Sequence, residues 1–285
     1  MVKKYKQTDF SAREIQACHR VLMEIVGLLS EFRDYVALVG GWVPSFIVPQ
    51  AEEIHVGSLD VDVAFDFQHV TDHTYETILK ILQNSGYYQT DEQKPFQWWK
   101  NVKVDESELV PVEVDLLAPE YGGRGKKHEN QRIQNVKARK ARGSDLIFDE
   151  RNRFKEIILE GQLPNGVLDS IRCKVAGVVP FLVMKGMAIG RGKPKDAYDI
   201  EYVIRNYPGS LNALVSEFQR DLSNALVQEG LGKIRAKFET INHAGPDDVA
   251  TFREINNPED RAIRKRAAYE TVRSFLDALG IKKFV

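Results

Sequence analysis

Asp60 and Asp62 stand two residues apart in the run GSLDVDVAFDF, and that spacing can do chemistry. On a strand, residues i and i+2 leave the same face, so the two carboxylates are neighbours. Like charges that close repel, and burial would push one of them toward its neutral form. A divalent cation between them removes the conflict. Carboxylate oxygens are hard ligands that suit Mg²⁺ or Mn²⁺, ions that commonly also hold substrate phosphates. Glu113 and Asp115, alternating in PVEVDLL, offer a third carboxylate from another strand. Both point to one face, so alternation does not choose between them; Asp115, nearer the strand end, is the preferred candidate. Gly40-Gly41 follows the apolar run VALV. Without Cβ atoms the backbone there can approach a triphosphate and offer it amides. Ser58 adds a hydroxyl just ahead of Asp60.

These residues need elements to hold them. Residues 36–39 read as a short apolar strand stopped by the glycines, and 42–48 as a helical turn closed by Pro49. Over 59–67, Leu59, Val61, Val63 and Phe65 alternate with Asp60, Asp62 and Asp66, which predicts a strand with one acidic face. Upstream, Ser11-x-x-Glu14 has the spacing of a capping box and opens a helix to about residue 32. Thr71 begins another, through Leu82, with Asn84-Ser85-Gly86 as its stop. Two more strands are expected over 97–104 and 109–117. This mixture predicts an α+β fold, a mixed sheet with flanking helices. After about residue 165 the pattern becomes helical, over 169–191, 194–205, 211–228 and 258–279. The chain is therefore expected to divide into a sheet domain, 1–160, and a helical domain, 161–285.

Bulk properties bound the reading. With 285 residues, 43% hydrophobic and 28% charged, the chain is globular rather than disordered. A formal charge of -1 excludes a wholesale polycation and leaves local patches open. The two cysteines, Cys18 and Cys173, form no zinc spacing or disulfide framework, which points to a reducing compartment. The first sixteen residues are polar, and the longest apolar runs are too short for a bilayer. A soluble, cytoplasmic protein with no membrane partner is expected. Cys173 reads as a core residue of an apolar helix. His55, His69, His73 and His128 show no ligand spacing and are assigned to no metal.

A second cluster lies in FLVMKGMAIGRGKPKDAYDIEYVI. Pro194 favours a helix start. Asp196 and Asp199, three apart, share one face of that helix, while Ile200, Val203 and Ile204 cover its buried side. Lys185, Arg191, Lys193 and Lys195 concentrate positive charge just ahead of it.

Taken together, GGW…SLDVDV…VEVDLL resembles the Gly-Gly/Ser, Asp-x-Asp and third-Asp signature of DNA polymerase beta-like nucleotidyltransferases. The string from Lys185 to Asp199 is similar to the matching segment of AbiEii/AbiGii-type (MenT-like) enzymes, toxins of bacterial toxin–antitoxin and abortive-infection systems. The likeness covers about residues 36–205. It implies a polymerase beta-like core followed by a helical domain that completes the nucleotide site. It implies Asp60, Asp62 and Asp115 as catalytic metal ligands for Mg²⁺ or Mn²⁺, with an NTP as co-substrate. Gly40, Gly41, Ser58 and Lys185 would hold the nucleotide, with Asp196 and Asp199 supporting. One departure stands out: the stretch from Gly41 to Asp60 is longer than the family's usual linker, by residues around 49–55.

The favoured acceptor is RNA, the 3′ end of tRNA by the same resemblance. Residues 119–144 read as an exposed loop rich in cations: Arg124, Lys126, Lys127, Arg132, Lys137, Arg139, Lys140 and Arg142. Such density can neutralise several backbone phosphates. Phe96, Trp98 and Trp99, on a nearby strand, offer either a base-stacking surface or ordinary core packing. A toxin of this kind would have a cognate antitoxin as partner. Two rival readings are a small-molecule nucleotidyltransferase of the antibiotic-modifying type and a non-catalytic nucleotide- or RNA-binding module.

Overall fold

The structure, a computed structural model, describes residues 5–106, 108–119, 130–133, 136–149 and 153–283. Its elements run α1 (Ala12–Leu28), β1 (Val36–Val39), α2 (Val43–Ile47), β2 (Asp60–Phe65), α3 (Asp72–Asn84), β3 (Gln97–Val102), β4 (Val110–Ala118), β5 (Asn130–Ile133), β6 (Val136–Lys140), β7 (Phe154–Gln162) and β8 (Leu168–Ala176). Six helices follow: α4 (Val178–Ala188), α5 (Pro194–Asn206), α6 (Leu211–Phe218), α7 (Ala225–Lys237), α8 (Ala244–Phe252) and α9 (Pro258–Ala278). The chain makes two compact units, a sheet unit of residues 11–43 and 57–177 and a helical unit of 1–10, 44–56 and 178–285. The expected α+β arrangement, a mixed sheet with flanking helices and then a helical segment, is what the structure has.

The sheet orders its strands β5-β6-β4-β2-β1-β8-β7, with β3 also paired to β4. At its centre β2 and β4 run parallel, while β1 is antiparallel to β2 and parallel to β8. Strands β3 and β6 share the other side of β4, β3 along its first part and β6 at its last two residues. Helix α1 is capped as the sequence predicts: the Ser11 hydroxyl accepts from the Glu14 amide at 3.2 Å and donates to its carboxylate at 2.8 Å. Its apolar stripe, including Val21, Leu22 and Ile25, is buried, and the helix packs across β2, β3, β4, β7 and β8. Ile25, Val26 and Leu29 line a small cavity with Val63, so α1 covers the apolar face of β2. By strand alternation Asp60 and Asp62 leave by the opposite face.

In the helical unit, α4 opens with an uninterrupted apolar run, Val178 to Val183, that is wholly buried. Gly186 of α4 and Gly230 of α7 let the two backbones touch, since a Cβ on Gly186 would overlap the Gly230 carbonyl. Helix α5 is buried along most of its length and packs on α8 and α9. Its Glu201, fully buried, is held by Arg205 at 3.0 Å and Arg264 at 2.5 Å.

Several sequence expectations change. Residues 168–176, expected within a helix, form β8, and the sheet unit runs to residue 177 rather than 160. The cause is a period of two, Ile171, Cys173 and Val175 turning inward, that merges without a break into the apolar start of α4. Cys173 is thus buried on a strand, not on a helix. The span 211–228 is two helices, because Asn224 caps a new one, accepting from the Leu226 and Val227 amides at 2.9 and 3.4 Å. Helix α8 has no counterpart among the expected helices, and the stretch 119–144, expected as a loop, contains the β5–β6 hairpin. Among the described residues no helix is long and apolar enough to cross a membrane.

Candidate active site

Strand pairing sets the acidic residues side by side. In the parallel β2–β4 register Asp60 lies opposite Glu113 and Asp62 opposite Asp115, so four carboxylates form a two-by-two array. The antiparallel β3 extends the same face, with Gln97 opposite Asp115 and Trp99 opposite Glu113. On the other side of β2, Val39 pairs with Asp62, and the chain then turns through Gly40. Gly40 has φ +73°, and a Cβ there would overlap the Asp62 carboxylate. Glycine is required twice, by the left-handed backbone and by that close approach.

Asp60, Glu113 and Asp115 each lean on a neighbour. Ser58, buried, donates to Asp60 Oδ1 at 2.5 Å, and Gln97 Nε2 donates to Glu113 Oε1 at 2.5 Å. Arg139 Nη1 donates to Asp115 Oδ2 at 2.5 Å, its guanidinium lying 5.7 Å from the centre of the Phe96 ring. Burial alone would pull the Arg139 pKa down; Asp115, then Asp62 and Glu113, outweigh it and raise it. Asp115 is 3% exposed, whereas Asp60 and Asp62 are half-buried. Cys18 lies close by, accepting from Trp42 Nε1 at 3.3 Å; burial above all pushes its thiol well up, which leaves it protonated and inert.

The donor set fits a hard divalent cation, being carboxylates and a hydroxyl on one face. As the side chains stand, no three or more His, Cys, Asp and Glu among the described residues converge as ligands of one ion. The match is therefore one of residue type and strand register, with Asp60 and Asp115 engaged by Ser58 and Arg139.

The second cluster is tighter and is buried in the helical unit. Lys185 Nζ lies 2.7 Å from Asp196 Oδ1 and 2.7 Å from Asp199 Oδ2. Lys195, one turn before Asp199, reaches both of its oxygens at 2.8 and 3.0 Å. His55 Nε2 lies 3.0 Å from Asp199 Oδ1, with both side chains fully buried. Burial would raise the Asp199 carboxyl, but Lys185 and Lys195, then His55, outweigh it and hold it well below the usual carboxylate range. Burial lowers Lys185 as well, and the two carboxylates overcome that and raise it. The ammonium has three donors, of which Asp196 and Asp199 account for two. Burial depresses His55 to about 4, so its imidazole is neutral near pH 7.

Of the expected RNA contacts, Arg139, Lys140 and Arg142 are half-buried rather than displayed, and Arg139 is committed to Asp115. Arg132 and Lys137 are register partners across the β5–β6 hairpin. Arg124, Lys126 and Lys127 lie outside the described residues. Trp98 is core, at 2% exposure, and Trp99 is half-buried on the carboxylate face. Sequence reasoning missed the Arg139–Asp115 pair and the part played by His55. The signal for His55 was present, since it lies in the extra residues between Gly41 and Asp60.

No family model matches the chain, and no curated protein matches it. Among solved structures, an antigenic nucleotidyltransferase-like protein from Paracoccidioides brasiliensis is similar over 74% of this chain and 92% of that one, at 14% identity and a TM-score of 0.42. JHP933 from Helicobacter pylori is similar over 94% of each chain, at 12% identity and a TM-score of 0.45. Likeness at this level says nothing of substrate or chemistry, which must come from the chain's own residues.

Proposed function

We propose that the chain is a metal-dependent nucleotidyltransferase that moves a nucleoside monophosphate from an NTP to an acceptor hydroxyl. The observation that carries this reading is the register placing Asp62 beside Asp115, two residues on from Asp60, on the sheet face away from α1. Four carboxylates gathered there outnumber the Arg139 guanidinium beside them, and such an excess of one sign makes sense as a site. Mg²⁺ or Mn²⁺ held by Asp60, Asp62 and Asp115 would neutralise that face and stabilise charge developing on the transferred phosphate.

The chain's own residues have distinct parts in this reading. Ser58 fixes one Asp60 oxygen and leaves the other to turn outward. Gly40, lacking a Cβ, leaves room for the Asp62 carboxylate. Asp115, paired with Arg139, is the candidate to receive the acceptor's proton. Lys185, by the family resemblance, donates to the NTP phosphates with the donor that Asp196 and Asp199 do not use. RNA, in particular the 3′ end of tRNA, is the proposed acceptor, on the cation density of 124–142 and the same resemblance. The proposed setting is a bacterial toxin–antitoxin or abortive-infection system, with a neutralising antitoxin as partner.

The test is incubation of purified protein with total bacterial RNA, Mg²⁺ and each α-labelled NTP in turn, beside Asp60→Ala. Label in small RNAs with the wild type alone is expected, and it would name the nucleotide. Retained transfer in Asp60→Ala would sink the assignment. Pyrophosphate release with small hydroxyl compounds, and no label in RNA, would replace the acceptor with a small molecule. Growth arrest on induction of the wild type, absent with Asp60→Ala, is the expected sign of toxicity.

A further inference from the structure

We infer that His55 is a positioning residue that sets the Lys185 ammonium by orienting the Asp199 carboxylate; its link to nucleotide binding rests on the function proposed above. An ionised carboxylate only accepts hydrogen bonds, so at the 3.0 Å contact the His55 Nε2 must carry the proton and donate. The imidazole is neutral near pH 7, in agreement with that tautomer. Its ring is fixed on two sides. It stacks on Tyr198 at 5.4 Å and 17° and meets Tyr202 edge-on at 4.8 Å and 64°.

The segment that carries it is pinned as well. The Tyr202 hydroxyl donates to the Glu53 carbonyl at 2.7 Å, and the Glu53 carboxylate is paired with Arg205 and Arg253. These anchors all belong to the helical unit, as does the segment 44–56 itself.

The need for such an anchor follows from a competition. Two lysines claim Asp199 Oδ2: Lys185 at 2.7 Å and Lys195 at 3.0 Å. Lys195 also holds Oδ1, at 2.8 Å, and so spans both oxygens of the carboxylate. A neutral donor fixed on Oδ1 sets the rotation of a carboxylate that both lysines share and keeps Oδ2 aimed at Lys185. Because that donor is uncharged, it orients the group without adding a third cation to a cluster already balanced by Lys185, Lys195, Asp196 and Asp199. A histidine held neutral by burial has those properties, and a lysine or arginine would not.

Two variants separate positioning from bulk. His55→Gln keeps an amide N–H near the place of Nε2, and His55→Leu removes the donor while filling the space. The first readout is the side-chain ¹⁵N–¹H signal of the Lys185 ammonium, observed without nucleotide. It is expected to shift or be lost to exchange in His55→Leu and to stay near the wild-type position in His55→Gln. The second is the split between KM for NTP and kcat. One lost orienting hydrogen bond predicts a KM raised by about tenfold in His55→Leu, kcat changed far less, and His55→Gln close to wild type. An unmoved Lys185 signal in a folded His55→Leu would overturn the inference. So would equal damage in both variants, which is what a space-filling role gives. A wild type that binds no NTP would fail the proposed function alone, and the Lys185 signal would still decide whether His55 orients it.

Discussion

The sheet face and the helical cluster use the same residue types to opposite ends. On the sheet, Asp60, Asp62, Glu113 and Asp115 share one face, with Arg139 beside Asp115, and Asp60 and Asp62 keep partial access to solvent. In the helical unit, Asp196 and Asp199 are matched by Lys185 and Lys195 within 3.0 Å and largely buried. Four carboxylates offset in part by Arg139 still carry an excess of one sign that an arriving cation can relieve, so the array is poised for a ligand. A balanced, buried cluster satisfies most of its own charge, and removing one member leaves the rest uncompensated. Stability therefore depends on the second far more than on the first, and chemistry on the first more than on the second.

The sharpest way to break that contrast is to neutralise one aspartate in each place. Asp199→Asn is expected to lower the unfolding free energy by about 3–5 kcal/mol in urea titration. Asp62→Asn should leave it unchanged or raise it, while transfer falls by about 10³-fold. Equal destabilisation by the two would erase the distinction.

A second effect depends on pH. The folded pKa of His55 is depressed from 6.5 to about 4, so between those values the unfolded chain binds the extra proton. Stability is then complete above about pH 6.5 and falls as the pH drops toward 4, by roughly 3 kcal/mol from this group. Asp199, held well below the ordinary carboxylate range, stays charged through that window. His19 titrates in the same sense, its pKa also lowered by burial. Melting curves from pH 7 to 4 should show the loss, and His55→Gln should flatten it.

The smallest effect belongs to the cation. Mg²⁺ at ten times its Kd should stabilise the wild type by about 1.4 kcal/mol and leave Asp62→Ala unmoved. A Tm rise shared by both would place the ion elsewhere.

Local signals made much of this legible. The Ser11 cap, the four buried residues of β1 and the alternation of β2 are written within short windows, and the structure repeats them. What needed distant partners was not. Glu113 and Asp115 share a face, so only the pairing of β2 with β4 sets Asp115 beside Asp62. The Arg139 guanidinium reaches Asp115 because β6 joins the end of β4, a contact 24 residues apart that no local pattern announces. The β7–β8 hairpin was lost to its neighbour: its apolar alternation runs into Val178–Val183, and the two together mimic one long helix. Asp199 was found as a helix-face residue, but its partner His55, 144 positions earlier, looked like an isolated histidine.

That separation also bears on how the protein is made. Residues 44–56 leave the ribosome early, yet Asp199, Tyr202, Arg205 and Arg253, which hold Glu53 and His55, all lie after residue 177. At 5–20 residues per second, His55 would wait roughly 7 to 30 s for Asp199 to be synthesised. Neither unit is a continuous stretch that can finish before the other begins, so no single cut releases one intact. Folding of the helical unit is bound to full-length synthesis, and a truncated product would keep an unfinished Glu53–His55 segment for proteases to find.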